Sequence, residues 1–229
     1  MAEPKTYHFK LPRNRRPDPF PLNERWYPGI RDYWGTSTIR SVDPIEGIRA
    51  IVIHATAGSS SEGAVSVIRD GAASFHWLVP DEDEAAHGKF CWACIPETKA
   101  AWHVRNAVSH DDINGGQTHV NHWSLGIEVV NSIKPTDAFS MWQLDMTAEI
   151  VRYCWAKYPN LIDVVSHAKL DPQRRSDPGH HFDWDTFRKK VLAEGPGPVD
   201  RQLDDAERQL MAAMTPIEAL PESQGASIC

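Results

Sequence analysis

Two histidines and one aspartate carry the chemistry most directly readable in this chain. The apolar run Ala50-Ile51-Val52-Ile53 ends in His54 and is followed by the small residues Ala55-Thr56-Ala57-Gly58. A second run, Leu161 to Val165, leads to His167, and ten residues further on Asp177 opens a Pro-Gly turn. Two imidazoles at strand ends and a carboxylate on a loop form a three-ligand set. Such a set suits one catalytic zinc ion per chain, with the fourth position left to water. Each histidine alone reads more readily as a satisfied structural imidazole, and the His167–Asp177 spacing alone decides little.

The elements that must position these side chains show as patterns. Arg49 to Ile53 reads as a buried strand. One of Ser59, Ser60 and Ser61 caps a helix running to about Arg69, with Glu62 in its first turn and Gly71 beyond its end. Ser74 to Val79 reads as a second strand, Asp81 to Glu84 as a solvated turn, and Ala85 to Ile95 as a further strand pair. Ser124 to Val130 is a strand of β-branched and apolar residues. Thr136 to Tyr158 is the longest expected helix: Trp142, Met146, Ile150, Cys154 and Tyr158 recur every four residues, and Leu144 and Val151 widen the stripe. That stripe reads as core. Pro159 ends the helix, Leu161 to Val165 returns as a strand, and Asp183 caps a last helix from Trp184 to Leu192.

The ends differ from this regular middle. Residues 1–45 hold seven of the seventeen prolines together with Trp26, Tyr27, Tyr33 and Trp34. Proline at that density forbids long helices and interior strands, so an irregular arm packing its aromatics on the main domain is expected, or one forming a wall of a substrate groove. Residues 194–229 read as a Gly-Pro linker, a short helix over 201–214 and a flexible tail. The expected organisation is one catalytic domain over 46–193 between these extensions.

A net charge of −7 argues against bulk nucleic-acid binding. No apolar run approaches the ~20 residues of a membrane span, and Met1 to Lys10 lacks the apolar core of a secretory signal. A cytoplasmic product is therefore expected, leaving the cell only by lysis or with a partner's export route. Cys91-Trp92-Ala93-Cys94 has the spacing of redox and zinc sites, but no second pair completes a four-thiolate site. In a strand its two sulfurs face opposite ways, so a structural role is expected. Cys154 reads as core and Cys229 as a tail thiol.

Five segments occur in order: Ile51 to Gly58, Ser74 to Val79, Ala101-Trp102-His103, Asn121 to Glu128 and Asp177 to Trp184. Together they resemble the type 2 N-acetylmuramoyl-L-alanine amidases, a zinc family that cleaves peptidoglycan and is related to phage amidase lysozymes and peptidoglycan recognition proteins. The resemblance covers residues 46–193. It implies an α/β fold, a mixed central β-sheet flanked by helices, with zinc on His54, His167 and Asp177 in a groove at the strand ends. It implies hydrolysis of the amide between N-acetylmuramic acid and L-alanine in peptidoglycan or muropeptides. Glu128 falls at the position facing the metal and is expected to act as the general base. Trp102, His103 and Asn121 match positions expected at the substrate. Arg175 departs from the pattern, which has lysine there; it keeps the charge but offers a planar fork for the oxyanion. Thr56, Ser166 and nearby carbonyls are candidates for the outer bonds that fix the imidazole tautomers, and His76 reads as structural or as a neighbour of the metal. His119, His122, His180 and His181 add imidazoles able to compete for it. A recognition module that binds without cutting, or a zinc hydrolase for another amide, remains the alternative.

Overall fold

Three apolar runs, Ala50–Ala55 (β4), Ser124–Val129 (β8) and Asp163–Ser166 (β9), align in parallel as the centre of the molecule. Every residue of β4 is buried, as expected for a strand covered on both faces. The computed structural model describes residues 3–193. The remaining strands are His8–Lys10 (β1), Glu24–Trp26 (β2), Ser37–Ile39 (β3), Trp77–Val79 (β5), Cys91–Ala93 (β6) and Lys99–Ala101 (β7). Seven strands form one mixed sheet in the order β1-β9-β4-β8-β5-β6-β2, and β3 pairs with β7 in a separate ribbon.

Alternation along the strands divides the core. Ile51, Ile53, Leu125, Ile127 and Val164 point to one face, beneath the long helix α3 (Met141–Lys157) and α5 (Trp184–Val191). Ala50, Val52 and Val165 point to the other, where they pack with Trp123 of α2 (Val120–Trp123) and Leu170 of α4 (His167–Leu170). On that same side α1 (Ser61–Arg69) buries Ala64, Val65 and Ile68 against Leu78, Phe75 and Trp92. His54 and Glu128 have the parity of Val52 and Gly126, so both project from this second face at the carboxyl ends of their strands. Ligand sites of open α/β sheets occupy such strand ends.

Several expectations shift. The long helix begins at Met141, because Ser140 and Gln143 form a reciprocal capping box there; residues 136–139 lie outside it. The strand expected at 74–79 is confined to Trp77–Val79, and of the pair expected in 85–95 only β6 forms. Cys91 and Cys94 are free and lie in different core clusters, as alternation requires. The arm is more integral than an irregular strap: β1 and β2 close the two edges of the sheet, positions open to a proline-rich segment. Tyr7 of the arm stacks on Trp184 at 4.9 Å, and Phe9 packs beside it. Tyr27 is buried, whereas Trp26 and Tyr33 stay exposed. The helix expected over 201–214 and the tail lie outside the described residues. No described helix is long and apolar enough to cross a membrane.

Candidate active site

The strand register fixes the site. β4 pairs His54 directly with Glu128 of β8, and on its other side pairs Ile53 with Ser166, the last residue of β9. His167 therefore emerges beside His54. The end of β9 is braced by the arm: Ser166 N–H donates to the Tyr7 carbonyl and Ser166 Oγ to that of Pro4, while Lys169 N–H donates back to the same hydroxyl. Asp177 returns from the loop after α4, and its carbonyl accepts the Ala168 N–H.

These residues bring three ligand atoms together. His54 Nδ1 and His167 Nδ1 are 3.0 Å apart, and Asp177 Oδ2 lies 3.0 Å from the latter and 3.3 Å from the former. Tetrahedral zinc bonds of ~2.0–2.1 Å separate their ligand atoms by about 3.3 Å, so the triangle fits such an ion with little adjustment. Among the described residues these three form the one group of histidine, cysteine and carboxylate side chains able to hold a metal. Burial alone would raise Asp177, but its contacts with His167 and then His54 prevail and hold it well below the usual carboxylate range. Burial, and then the neighbouring His167, pull His54 down to about 4. The set thus presents an anion and a neutral imidazole, the ionisation a metal needs.

Glu128 is half-buried, and its carboxylate makes no hydrogen bond with another described residue. Burial raises it well above the ordinary range, the Asp177 charge adds to this, and the Arg175 guanidinium opposes it. Arg175 is exposed, with no side-chain bond to a described residue. It lines a cavity of about 450 Å³ together with Trp102, His103, Arg105, Asn121 and Thr38, a volume in the range of small-ligand pockets (~300–1,000 Å³). Trp102 is 38% exposed on its wall. Arg105 is held through Nε and Nη2 by Asp171 Oδ2 at 3.1 and 2.8 Å, which leaves Nη1 without a described partner.

His103 and Asn121 reach inward. His103 is buried, its ring edge-on to His54 at 5.2 Å. Asn121 uses its whole amide on the loop that carries His103: Oδ1 accepts the His103 and Val104 N–H groups, and Nδ2 donates to the Val104 carbonyl. His76 accepts the Gly126 N–H on Nδ1 and anchors β8. Thr56 and Ser166 do not fix the imidazoles. The Thr56 hydroxyl bonds Gly58 and Asn131, and that of Ser166 serves Pro4 and Lys169, so both hydroxyls are taken up by backbone groups. His119 and His180 are exposed, His122 accepts the Ser41 N–H, and neither these nor His181 joins the ligand group.

Sequence reasoning passed over two contributors. Arg40 is buried at the foot of the site. Its Nη1 donates to the carbonyls of Asn121, His122 and Ser124, its Nε to that of Glu97, and its Nη2 meets His76 Nε2 at 2.9 Å. Ser124 bonds His103. A single arginine in an arm and a serine opening a strand carry no pattern that would mark either.

Known proteins resemble this arrangement. The N-acetylmuramoyl-L-alanine amidase family matches residues 44–180. N-acetylmuramoyl-L-alanine amidase AmiD of Escherichia coli is 29% identical over 160 residues, 65% of this chain and 55% of that protein. The 1,6-anhydro-N-acetylmuramyl-L-alanine amidase AmpD of Salmonella typhimurium is 35% identical over 98 residues, 42% of this chain and 49% of that protein. The chain thus spans about half the length of these relatives. The structure of AmiD with anhydro-N-acetylmuramic acid-L-Ala-D-gamma-Glu-L-Lys superposes with a TM-score of 0.53 over 66% of this chain and 60% of that one. AMPDH3 of Pseudomonas aeruginosa, 22% identical, shares the fold with a TM-score of 0.57 over 81% of this chain and 80% of that one.

Proposed function

The chain belongs to the N-acetylmuramoyl-L-alanine amidase family, and on that premise we propose that it hydrolyses the amide between N-acetylmuramic acid and L-alanine in peptidoglycan or muropeptides. The observation that carries this reading is the placement of Glu128 in register beside His54, on the same sheet face as a converging His-His-Asp ligand triangle. His54 Nδ1, His167 Nδ1 and Asp177 Oδ2 would hold one zinc ion. Zinc in such a site lowers the pKa of the attacking water to about 7 and polarises the scissile carbonyl.

The remaining chemistry belongs to the protein. Glu128 takes the proton of the attacking water and returns it to the departing L-alanine nitrogen. A carboxylate raised by burial and lacking a hydrogen-bond partner is a stronger base than a solvated one. Arg175, exposed beside Glu128, offers its fork to the oxygen that gains charge as water adds. The cavity next to the ligands receives the glycopeptide. Trp102 supplies an apolar wall, and Arg105 and Arg175 supply positive charge for the free carboxylate of an acidic peptide stem.

The test is digestion of purified peptidoglycan and soluble muropeptides by zinc-loaded and chelator-stripped protein, with products read by mass spectrometry. Zinc-dependent release of peptides beginning at L-alanine is expected, restored by adding zinc back. Zinc-loaded protein that leaves every substrate intact while retaining glycopeptide affinity would replace the amidase with a recognition module.

A further inference from the structure

The zinc reading leaves open what holds His54 in the orientation and tautomer that a ligand needs. Each imidazole in such a site must present a bare nitrogen to the metal and place its N–H elsewhere. Metal-ligating histidines normally donate that N–H to a carboxylate, a carbonyl or a water. Here the partner is another imidazole. His54 Nε2 lies 3.1 Å from His103 Nδ1, and His103 Nε2 lies 3.2 Å from Ser124 Oγ, which in turn donates to the Val120 carbonyl at 2.7 Å.

The proton directions along this chain are forced from its far end. A carbonyl only accepts, so the single Ser124 hydroxyl proton goes to Val120. Ser124 Oγ must then accept from His103, which puts the His103 proton on Nε2 and leaves Nδ1 bare. A bare His103 Nδ1 accepts the N–H of His54 Nε2. His54 Nδ1 is thereby left without a proton, and it is the atom that faces His167 and Asp177. For neutral imidazoles these directions follow from the geometry and the donor and acceptor inventory.

The surroundings are built for the relay. Gly126 lies directly under the His103 ring: a Cβ there would fall 2.7 Å from His103 Cγ and 2.8 Å from Nδ1. Only glycine lets the ring lie flat enough against β8 to reach both His54 and Ser124. Asn121 fixes the backbone of His103 and Val104, and Arg40 fixes the Ser124 carbonyl. His103, Ser124 and the Val120 carbonyl are all buried, so water does not compete for the bonds. His167 has no equivalent among the described residues, where its buried Nε2 finds no partner.

We infer that His103 is a positioning residue, which with Ser124 carries the Val120 carbonyl's polarity to His54 and holds His54 Nδ1 open as a metal ligand. The inference rests on the zinc reading for its purpose, but its geometry is testable in metal-free protein.

Two measurements test it. In metal-free protein, nitrogen-15 NMR of the imidazoles should show both His54 and His103 protonated on Nε2 with bare Nδ1; a proton on Nδ1 of either ring overturns the relay. Zinc affinity, measured by competition with a chromophoric chelator, should fall about 10- to 100-fold in His103→Phe. Ser124→Ala, which removes little volume, should weaken zinc in the same direction. His103→Gln, whose amide oxygen can accept from His54 Nε2, should recover most of the loss. Wild-type zinc affinity in both His103→Phe and Ser124→Ala refutes the proposal. A merely structural role predicts instead that Gln fails to rescue and that affinity tracks thermal stability. These readouts need no substrate, so a protein that shows them but cuts no muropeptide would overturn the amidase reading and leave the relay standing.

Discussion

Replacing Arg40 tests whether a guanidinium in the arm underpins the site. Its four carbonyl acceptors divide in two: those of Asn121 and Ser124 are reached in fully buried bonds, those of Glu97 and His122 in partly solvated ones. Arg40→Met leaves the two buried carbonyls without a donor, at about 1–3 kcal/mol each. Water can replace the donor at the two outer carbonyls, with a loss of about 1 kcal/mol apiece. Against this, the fold already disfavours the cation: burial pulls Arg40 down from 12.5 to about 10, a cost on the order of 3 kcal/mol that methionine does not carry. The net expectation is a destabilisation of about 1–5 kcal/mol, read from urea denaturation with Arg40→Met and Arg40→Lys side by side. Lysine keeps a charge, but its compact ammonium cannot span carbonyls from two segments together with His76, so it should recover only part of the loss. Zinc affinity should fall with stability in both variants, because the Ser124 carbonyl that Arg40 holds belongs to the residue bonded to His103. If Arg40→Lys matches the wild type within ~0.5 kcal/mol and binds zinc equally well, the planar fan of bonds is not what secures this corner.

Two further outcomes follow from the same geometry. Glu128→Gln should bind zinc as tightly as the wild type while kcat on a muropeptide falls about 10²- to 10⁴-fold; full activity in the variant would remove Glu128 as the base. In chelator-treated protein, acid should destabilise the fold earlier than carboxylate titration alone would. Burial holds His54 at about 4 and His76 and His103 well below their ordinary value, so these imidazoles bind fewer protons in the native state than in the unfolded chain. The raised Glu128 acts in the opposite sense, and Glu128→Gln is the background that isolates the imidazoles. Stability is therefore full above ~6.5 and falls as pH drops toward 4, with His54 alone contributing on the order of 3 kcal/mol. Denaturation midpoints at pH 7.5 and 5 check this, and a flat profile between them would show that these imidazoles are not held neutral.

Much of the site was legible because parallel, doubly buried strands read as uninterrupted apolar runs. Those runs ended at His54 and His167, and at Glu128 once the family pattern was recognised. Their adjacency was not legible. It depends on the register of β4 against β8 and β9, which is set by pairing between distant segments. The long helix was visible by its stripe, but its start was misplaced because the stripe says nothing about the Ser140–Gln143 cap. Thr56 and Ser166 had the right chemistry for outer bonds and the wrong company: each hydroxyl had a nearer backbone partner. His103 was expected at the substrate and does line the cavity; its approach to His54 was not legible, because it depends on the absence of a side chain at Gly126. The three-residue strands of the arm are too short to show a period of two.

The arm changes where the working unit begins. The family match starts at residue 44, and a chain cut there would retain all three candidate ligands, Glu128 and the His103 relay. It would lose Arg40, and with it the donors to the Asn121, His122 and Ser124 carbonyls. It would also lose the Pro4 and Tyr7 carbonyls that brace Ser166, the residue immediately before His167. Both sheet edges would open as β1 and β2 departed, leaving β9 and β6 with unpaired backbone groups. Two of the three candidate ligands are thus steadied from outside the matched segment: His54 through Arg40, Ser124 and His103, and His167 through Ser166. The residues that define the chemistry and those that hold it still belong to different stretches of chain, so the boundary suggested by the motifs is not the boundary of the structure that makes them work.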